Sequence, residues 1–221
     1  MRLLCIETSS RRGSVALAEG PRVVAARSHS EQAAHAERLR PLLDELLSEA
    51  GWSKKSLERV GVGMGPGSFT GLRVGIAFAQ GIALGLEIPW VGVGSLAAMA
   101  RACPPEAGPI RVALLDARRQ EVFAQAFSAS GAALSEAEAL PRADALRLLG
   151  ARFPGALFLG EVAAELGAEP AYRSESTDLP DARGVAVLAA ELEPAESIPE
   201  PLYVRDSGAT PQALPPSPFQ D

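Results

Sequence analysis

Short apolar runs alternate with longer amphipathic ones along this chain, and their order predicts its plan. Leu3 to Glu7 is a compact apolar strand, followed by the polar turn Thr8-Ser9-Ser10-Arg11-Arg12-Gly13. Ser14 to Ala18 reads as a second strand, Glu19-Gly20-Pro21-Arg22 as a tight reversal, and Val23 to Arg27 as a third. Together they make an antiparallel meander. Ser28-x-x-Glu31 has the form of a capping box. The helical pattern behind it runs to Ala50 and stops at Gly51, a residue suited to the left-handed cap. Pro41 lies inside that helix and predicts a kink or a new first turn. Val60 to Val62 is a further strand, then a glycine turn, a long apolar helix from Leu72 to Leu86, the strand Ile88 to Val93 and a helix capped by Ser95.

At Pro104-Pro105-Glu106-Ala107-Gly108-Pro109 the composition turns to proline and glycine, which predicts a boundary. Residues 1–103 are expected to form one unit, 104–207 a second, and 208–221 a disordered tail rich in proline. The second unit repeats the opening. Arg11-Arg12-Gly13-Ser14-Val15 matches Arg118-Arg119-Gln120-Glu121-Val122, 107 residues later, and each copy sits between two apolar runs. The strand–turn–strand setting points to a duplication. The second copy continues with a weaker strand near Leu134, a helix from Pro141 to Leu149, the strand Leu157 to Leu159 and a helix near Arg183 to Leu192.

Two helices carry more apolar surface than one sheet can cover. On the first, Leu39, Leu42, Leu46 and their apolar neighbours span an arc of roughly 140° at ~100° per residue. The second is apolar almost all round, with Arg73, Gln80 and Glu87 as a polar strip roughly 40° wide. A helix of this kind is buried on both sides. Leu39, Leu42, Leu46, Ile76 and Ala83 are therefore the expected contact residues for a partner, and the chain alone is expected to form a homodimer.

The turn Gly63-Met64-Gly65-Pro66-Gly67-Ser68-Phe69-Thr70-Gly71 stands between a strand and a helix start, where unpaired N–H groups favour an anion. Gly65, Gly67 and Ser68 are candidates for a phosphate contact; a purely structural turn with close helix–strand packing is the other reading. The lysine of a P-loop is missing, and so is the acidic residue that a dinucleotide turn needs at the end of the next strand. Ser68 does not occupy a nucleophile elbow, since Pro66 and Thr70 stand where glycines belong.

Charge narrows the choice of partners. The net charge is −6 and the arginines, 19 against 2 lysines, are scattered, which argues against strong autonomous RNA binding. No run of 18 or more uncharged apolar residues predicts a membrane span, and Glu7 comes too early for a signal peptide. Cys5 and Cys103 show no metal or redox spacing, so a reducing, cytoplasmic setting is expected. His29 and His35 are six apart, which on one helix puts them on different faces and excludes a joint metal site.

A meander, helix, strand, helix, strand, helix order in two copies resembles the actin-like ATPase (ribonuclease H-like) superfamily. The fold class expected is α/β, each half a mixed sheet flanked by helices. Cys5-Ile6-Glu7-Thr8-Ser9, His35-Ala36-Glu37-Arg38-Leu39-Arg40-Pro41-Leu42, Gly65-Pro66-Gly67-Ser68-Phe69-Thr70-Gly71-Leu72-Arg73-Val74-Gly75, Asp116-Ala117-Arg118-Arg119-Gln120-Glu121-Val122-Phe123 and Pro201-Leu202-Tyr203-Val204-Arg205 are similar to the bacterial TsaB (YeaZ) family. That resemblance implies a non-catalytic partner of TsaD in forming threonylcarbamoyladenosine beside the anticodon of tRNAs reading ANN codons. TsaE is a further implied partner, and tRNA is met only through the complex. The family's transferases carry a helical H-x-x-x-H metal pair, whereas here His35 is followed four residues later by Leu39. The first strand holds Glu7 in place of the superfamily's aspartate, so no cofactor is expected to be required and ATP would bind weakly. An autonomous weak ATPase or a glycoprotease-like hydrolase is the alternative.

Overall fold

The computed structural model describes residues 1–194 and 201–204. The tail expected at 208–221 and Arg205 lie outside the described residues. The first half opens with the meander β1 (Arg2–Glu7), β2 (Gly13–Glu19) and β3 (Arg22–His29), followed by α1 (His35–Ala50), β4 (Arg59–Gly63), α2 (Phe69–Leu86), β5 (Trp90–Val93) and α3 (Ser95–Ala102). The second half has β6 (Ile110–Arg118), β7 (Glu121–Ser128), β8 (Glu138–Pro141), α4 (Ala145–Arg152), β9 (Leu157–Leu159), α5 (Glu161–Glu165), β10 (Ala171–Tyr172), α6 (Glu175–Asp178) and α7 (Ala182–Glu191). The strand orders are β3-β2-β1-β4-β5 and β8-β7-β6-β9-β10. The two sheets thus repeat one plan: three antiparallel strands, then two added in parallel. This is the duplicated actin-like, ribonuclease H-like architecture.

Alternation along β1 sorts the core into two layers. Leu4 and Ile6 face α1 and α2, packing with Leu39, Leu43, Leu46, Leu72, Ile76 and Ala79. Leu3 and Cys5 face the other way, onto Ala182, Val185, Ala186 and Ala189 of α7. Sealed there, the Cys5 thiol is pushed up to about 12 by loss of solvation. The second sheet is covered on one face by α3 and on the other by α4 and α5. The division expected at 103/104 separates the sheets but not the packing, because α7 comes from the second half and covers the first sheet. The α3–α7 contact is close: a Cβ at Gly184 would run into the Ala98 carbonyl.

Arg111 fixes the crossover between the halves. It is fully buried, and its guanidinium donates to the carbonyls of Ala100 (3.0 Å) and Pro104 (2.9 Å). A cation there meets the negative end of α3 and adds a donor to carbonyls in and just beyond its last turn.

Several local expectations are corrected. Ser28 is the penultimate residue of β3, and α1 begins only after a short 3₁₀ turn, so no capping box forms. The helix runs unbroken through Pro41, which stands on its exposed side. Ser95 is the first residue of α3 and not its cap, its hydroxyl being used elsewhere. Near Leu134 there is only an isolated bridge, between Phe127 and Ala133; the strand lies at β8. Leu39, Leu46, Ile76 and Ala83 are buried by the sheet and by each other, and Leu42 is half-buried against the same core. The sheet takes the centre of each apolar arc, where Leu39, Leu46, Ile76 and Ala83 lie, while Leu42 stays partly exposed on the flank.

Leu46→Ala should therefore act on folding. The expected loss is about 2–5 kcal/mol of unfolding free energy in a urea titration. A loss below about 0.5 kcal/mol, usual for surface sites, would contradict this packing.

Candidate functional site

Where β1 ends, the chain runs straight onto the glycine turn and the start of α2. Four glycines of this region each make room for one residue of β1 or its extension. A Cβ at Gly63 would fall on the Glu7 carboxylate, one at Gly67 on the Ser9 carbonyl, one at Gly71 on the Thr8 carbonyl, and one at Gly75 on the Thr8 hydroxyl. Hydrogen bonds close the seam: Ser68 N–H donates to Ser9 O (2.7 Å) and Thr8 Oγ1–H to Gly71 O (2.8 Å). Ser68 is the N-cap of α2, its hydroxyl accepting from Gly71 N–H at 3.3 Å.

Two of the three amides considered for a phosphate contact are engaged within the chain. The Gly65 amide donates to Ser95 Oγ (3.2 Å), and the Ser68 amide is held by Ser9. The Ser9 carbonyl lies directly against Gly67. Positive φ is needed at Gly65, at 96°, and not at Gly67, whose lack of a side chain serves close approach alone.

Glu7 lies at the base of the seam, fully buried. Its carboxylate accepts from Ser9 N–H (2.6 Å) and from the Ser95 hydroxyl (2.9 Å), and so ties β1 to the start of α3. Burial raises its pKa above the usual carboxylate value, and the bonds from Ser9 and Ser95 oppose that rise. The carboxylate in an apolar strand was visible in the sequence; its partner, 88 residues on, was not.

Beside the seam, a cleft of about 300 Å³ opens between the halves, lined in part by Ser9, Ser68, Phe69, Asp116, Glu161 and Tyr203. The Thr8–Gly13 turn bolts across it. Arg11 forks onto both oxygens of Glu161 at the start of α5, and Arg12 approaches buried Asp181 (3.5 Å) and the Glu175 carbonyl. Neither clasp was foreseen, since each joins residues more than a hundred positions apart. Leu202 crosses from the second half and donates its amide to Met64 O (2.8 Å). Tyr203 leans on Phe69 (5.3 Å between centroids), with Arg73 stacked on the same ring at 3.7 Å.

Asp116 accepts from Arg118 N–H (3.0 Å) and has Arg118 and Arg142 beside it. Arg118, Arg119 and Gln120 all adopt left-handed φ, at 62°, 52° and 61°. Their counterparts Arg11, Arg12 and Gly13 do not, so the repeated Arg-Arg pair is shared in sequence and position but not in backbone shape. Among the described residues no three His, Cys, Asp or Glu side chains gather as metal ligands would. The two histidines do meet, contrary to the expectation from their spacing, because His29 ends β3 and His35 begins α1.

On the opposite side, α1 and α2 frame a groove of about 250 Å³, with Leu43, Leu57, Phe78, Ile82 and Leu86 in its lining and Arg40 and Lys54 at its edge. The outer face of α2 carries Thr70, Arg73, Ala77, Gly81, Leu84 and Gly85, all exposed, Leu84 at 83%. Among the described residues, α2 alone is long and apolar enough to cross a membrane by length and composition, and its inner face is sunk in the core.

Comparison with known proteins gives a consistent set of relatives. Residues 23–182 match the family model described as TsaD, tRNA N6-adenosine threonylcarbamoyltransferase. The chain is 41% identical over 126 residues to the tRNA threonylcarbamoyladenosine biosynthesis protein TsaB of Escherichia coli (strain K12), covering 56% of this chain and 53% of that one. The chain thus spans about half the length of that relative. It is 30% identical over 163 residues to the protein of the same name in Bacillus subtilis (strain 168), covering 72% and 71%. YeaZ from Pseudomonas aeruginosa superposes with a TM-score of 0.75 at 27% identity, over 91% of this chain and 99% of that one.

Two substitutions test the seam. Gly67→Ala should lower the melting temperature, because the new methyl meets the Ser9 carbonyl and the backbone must shift; an unchanged melting temperature would rule out this close approach. Glu7→Gln tests the buried acid. A raised folded pKa favours the protonated form, so that contribution is fully present below the unfolded value near 4.5 and is lost as pH rises through the folded value. The wild type should lose stability relative to Glu7→Gln from pH 5 upward, as followed by denaturant titration. A difference independent of pH would contradict the burial of a titrating group.

Proposed function

We propose that this chain, which belongs to the TsaB–TsaD family of tRNA threonylcarbamoyladenosine proteins, is a non-catalytic subunit that partners a TsaD-type transferase on tRNA in the cytoplasm. The observation that carries this reading is the outer face of α2. Beside Thr70 and Arg73 it presents Leu84 and the small residues Ala77, Gly81 and Gly85, and it lies open on a chain whose surface is otherwise laced with ion pairs. An uncovered face of that kind favours association. Its small residues allow close approach of another helix, and the groove beside α1 extends it. The same face would hold a second copy of the chain when no transferase is present, and a TsaD-type homologue would compete for it. TsaE joins as a further partner, and tRNA is met only within the complex.

No cofactor is required by this chain in this reading. Any ATP would bind weakly, since the amides of Gly65 and Ser68 are engaged and the cleft arginines Arg11 and Arg118 are already paired with Glu161 and Asp116. The assay is threonylcarbamoyl transfer to tRNA with the adenylate supplied, using the chain alone, the transferase alone and both together. Activity only with both supports the subunit role; multiple turnovers by this chain alone would overturn it.

The partner face can be tested without harm to the fold. A Cβ at Gly81 meets open space, so Gly81→Glu should gain up to about 1 kcal/mol of helix propensity. Combined with Leu84→Glu, it should keep the melting temperature while abolishing self-association in sedimentation and binding to the transferase. Both assemblies surviving in the double variant would place the interface elsewhere.

A further inference from the structure

His29 and His35 are the only histidines in the chain, and every ring nitrogen of both has a partner. His35 Nε2 lies 3.1 Å from the Ser10 carbonyl. A carbonyl only accepts, so Nε2 carries the proton and Nδ1 is bare. That bare Nδ1 lies 3.3 Å from His29 Nε2, which must therefore donate. His29 Nδ1 is then bare as well, and it accepts from the Glu31 N–H at 3.4 Å. The chain of bonds runs one way, from the Glu31 amide through both rings to Ser10. It has no free acceptor for a further proton.

Three elements are shaped around the pair. Gly13 of β2 is the cross-strand partner of His29, and a Cβ there would collide with His29 Nε2 and His35 Nδ1. The rings meet edge to face at 5.0 Å. His35 is 2% exposed and opens α1, the helix that frames the partner groove, while Ser10 lines the cleft on the other side.

We propose that His29 and His35 form a directional hydrogen-bond relay that fastens the start of α1 to the cleft lip at Ser10 and releases when the pair takes up a proton. A proton on His35 Nδ1 sets two N–H groups against each other. A proton on His29 Nδ1 opposes the Glu31 amide. The charged groups bearing on the pair are Arg38 of α1, which disfavours a second positive charge, and Glu31 of the connecting turn, which favours one; these two also lie 3.9 Å apart in an exposed pair. Burial lowers both histidines below their ordinary range, aided at His29 by His35 and Arg38 and opposed at His35 by Ser10. For a lowered pKa the contribution is present above the unfolded value near 6.5 and is lost as pH falls through the folded value.

The test starts with the unaltered protein. Long-range ¹⁵N–¹H spectra at pH 7.5 should show both imidazoles protonated at Nε2. On acidification, the ring signals, the Glu31 amide and the Ser10 carbonyl should shift with a common midpoint below 6.5. Amide exchange across the first turn of α1 should accelerate over the same window. His29→Gln keeps a neutral donor to His35 and removes one titrating ring, so the pH dependence of that opening should flatten by about tenfold per pH unit. An Nδ1–H tautomer on either ring, two independent midpoints near 6.5, or an opening whose slope His29→Gln leaves unchanged would overturn the relay.

Discussion

The packing of Thr8 and Ser9 against the glycines of the turn and of α2 is the contact on which the rest depends. It needs atoms at distances that any side chain would fill, so the sequence has glycine at 67, 71 and 75, and at 63 for the carboxylate before them. Once the seam is closed, β1 and α2 are fixed relative to each other, and the bonds from Ser9 and Ser95 hold Glu7 beneath them. The turn at Arg11 and Arg12 is then aimed across the cleft at Glu161 and Asp181. The turn that looks like an anion cradle in the sequence spends the amides of Gly65 and Ser68 on Ser95 and Ser9.

Most of the fold was legible because its signals are local. Compact apolar runs marked β1 and β2, Gly51 stopped α1, and the Leu157–Leu159 strand stood out between the turn residues Pro154-Gly155 and Gly160. The repeat was readable for the same reason, and the matching strand orders bear it out. Local chemistry also misled. Ser28 and Glu31 make a good box on paper, yet Ser28 pairs with Ser14 in the sheet, and cross-strand bonds outweigh a single cap.

The site was much less legible, since its contacts are long-range. Glycine spacing showed that something approaches α2 closely but not what, and only the placement of β1 identifies the Ser9 carbonyl. The apolar arcs of the two helices were read at their centres. Periodicity gives the centre of an arc, where Leu39, Leu46 and Ile76 lie, and the sheet takes that centre first. What remains outside is the flank, with Ala77, Gly81 and Leu84. The histidines failed by a different route: a spacing argument made on one helix does not hold when a strand end and a helix start fold back on each other.

The return of α7 to the first sheet matters for how the chain is made. During synthesis, the inner side of β1, β2 and β5, with Leu3, Cys5, Ala16, Val91 and Val93, finds its cover only when Ala182–Glu191 has left the ribosome. Until then an apolar sheet surface and several secondary elements wait without a partner, the condition in which nascent chains aggregate. The first half therefore cannot mature as an independent unit emerging in order. Its final packing is postponed until almost all of the described chain exists, which ties yield in the cell to the pace of translation and to whatever shields that surface meanwhile.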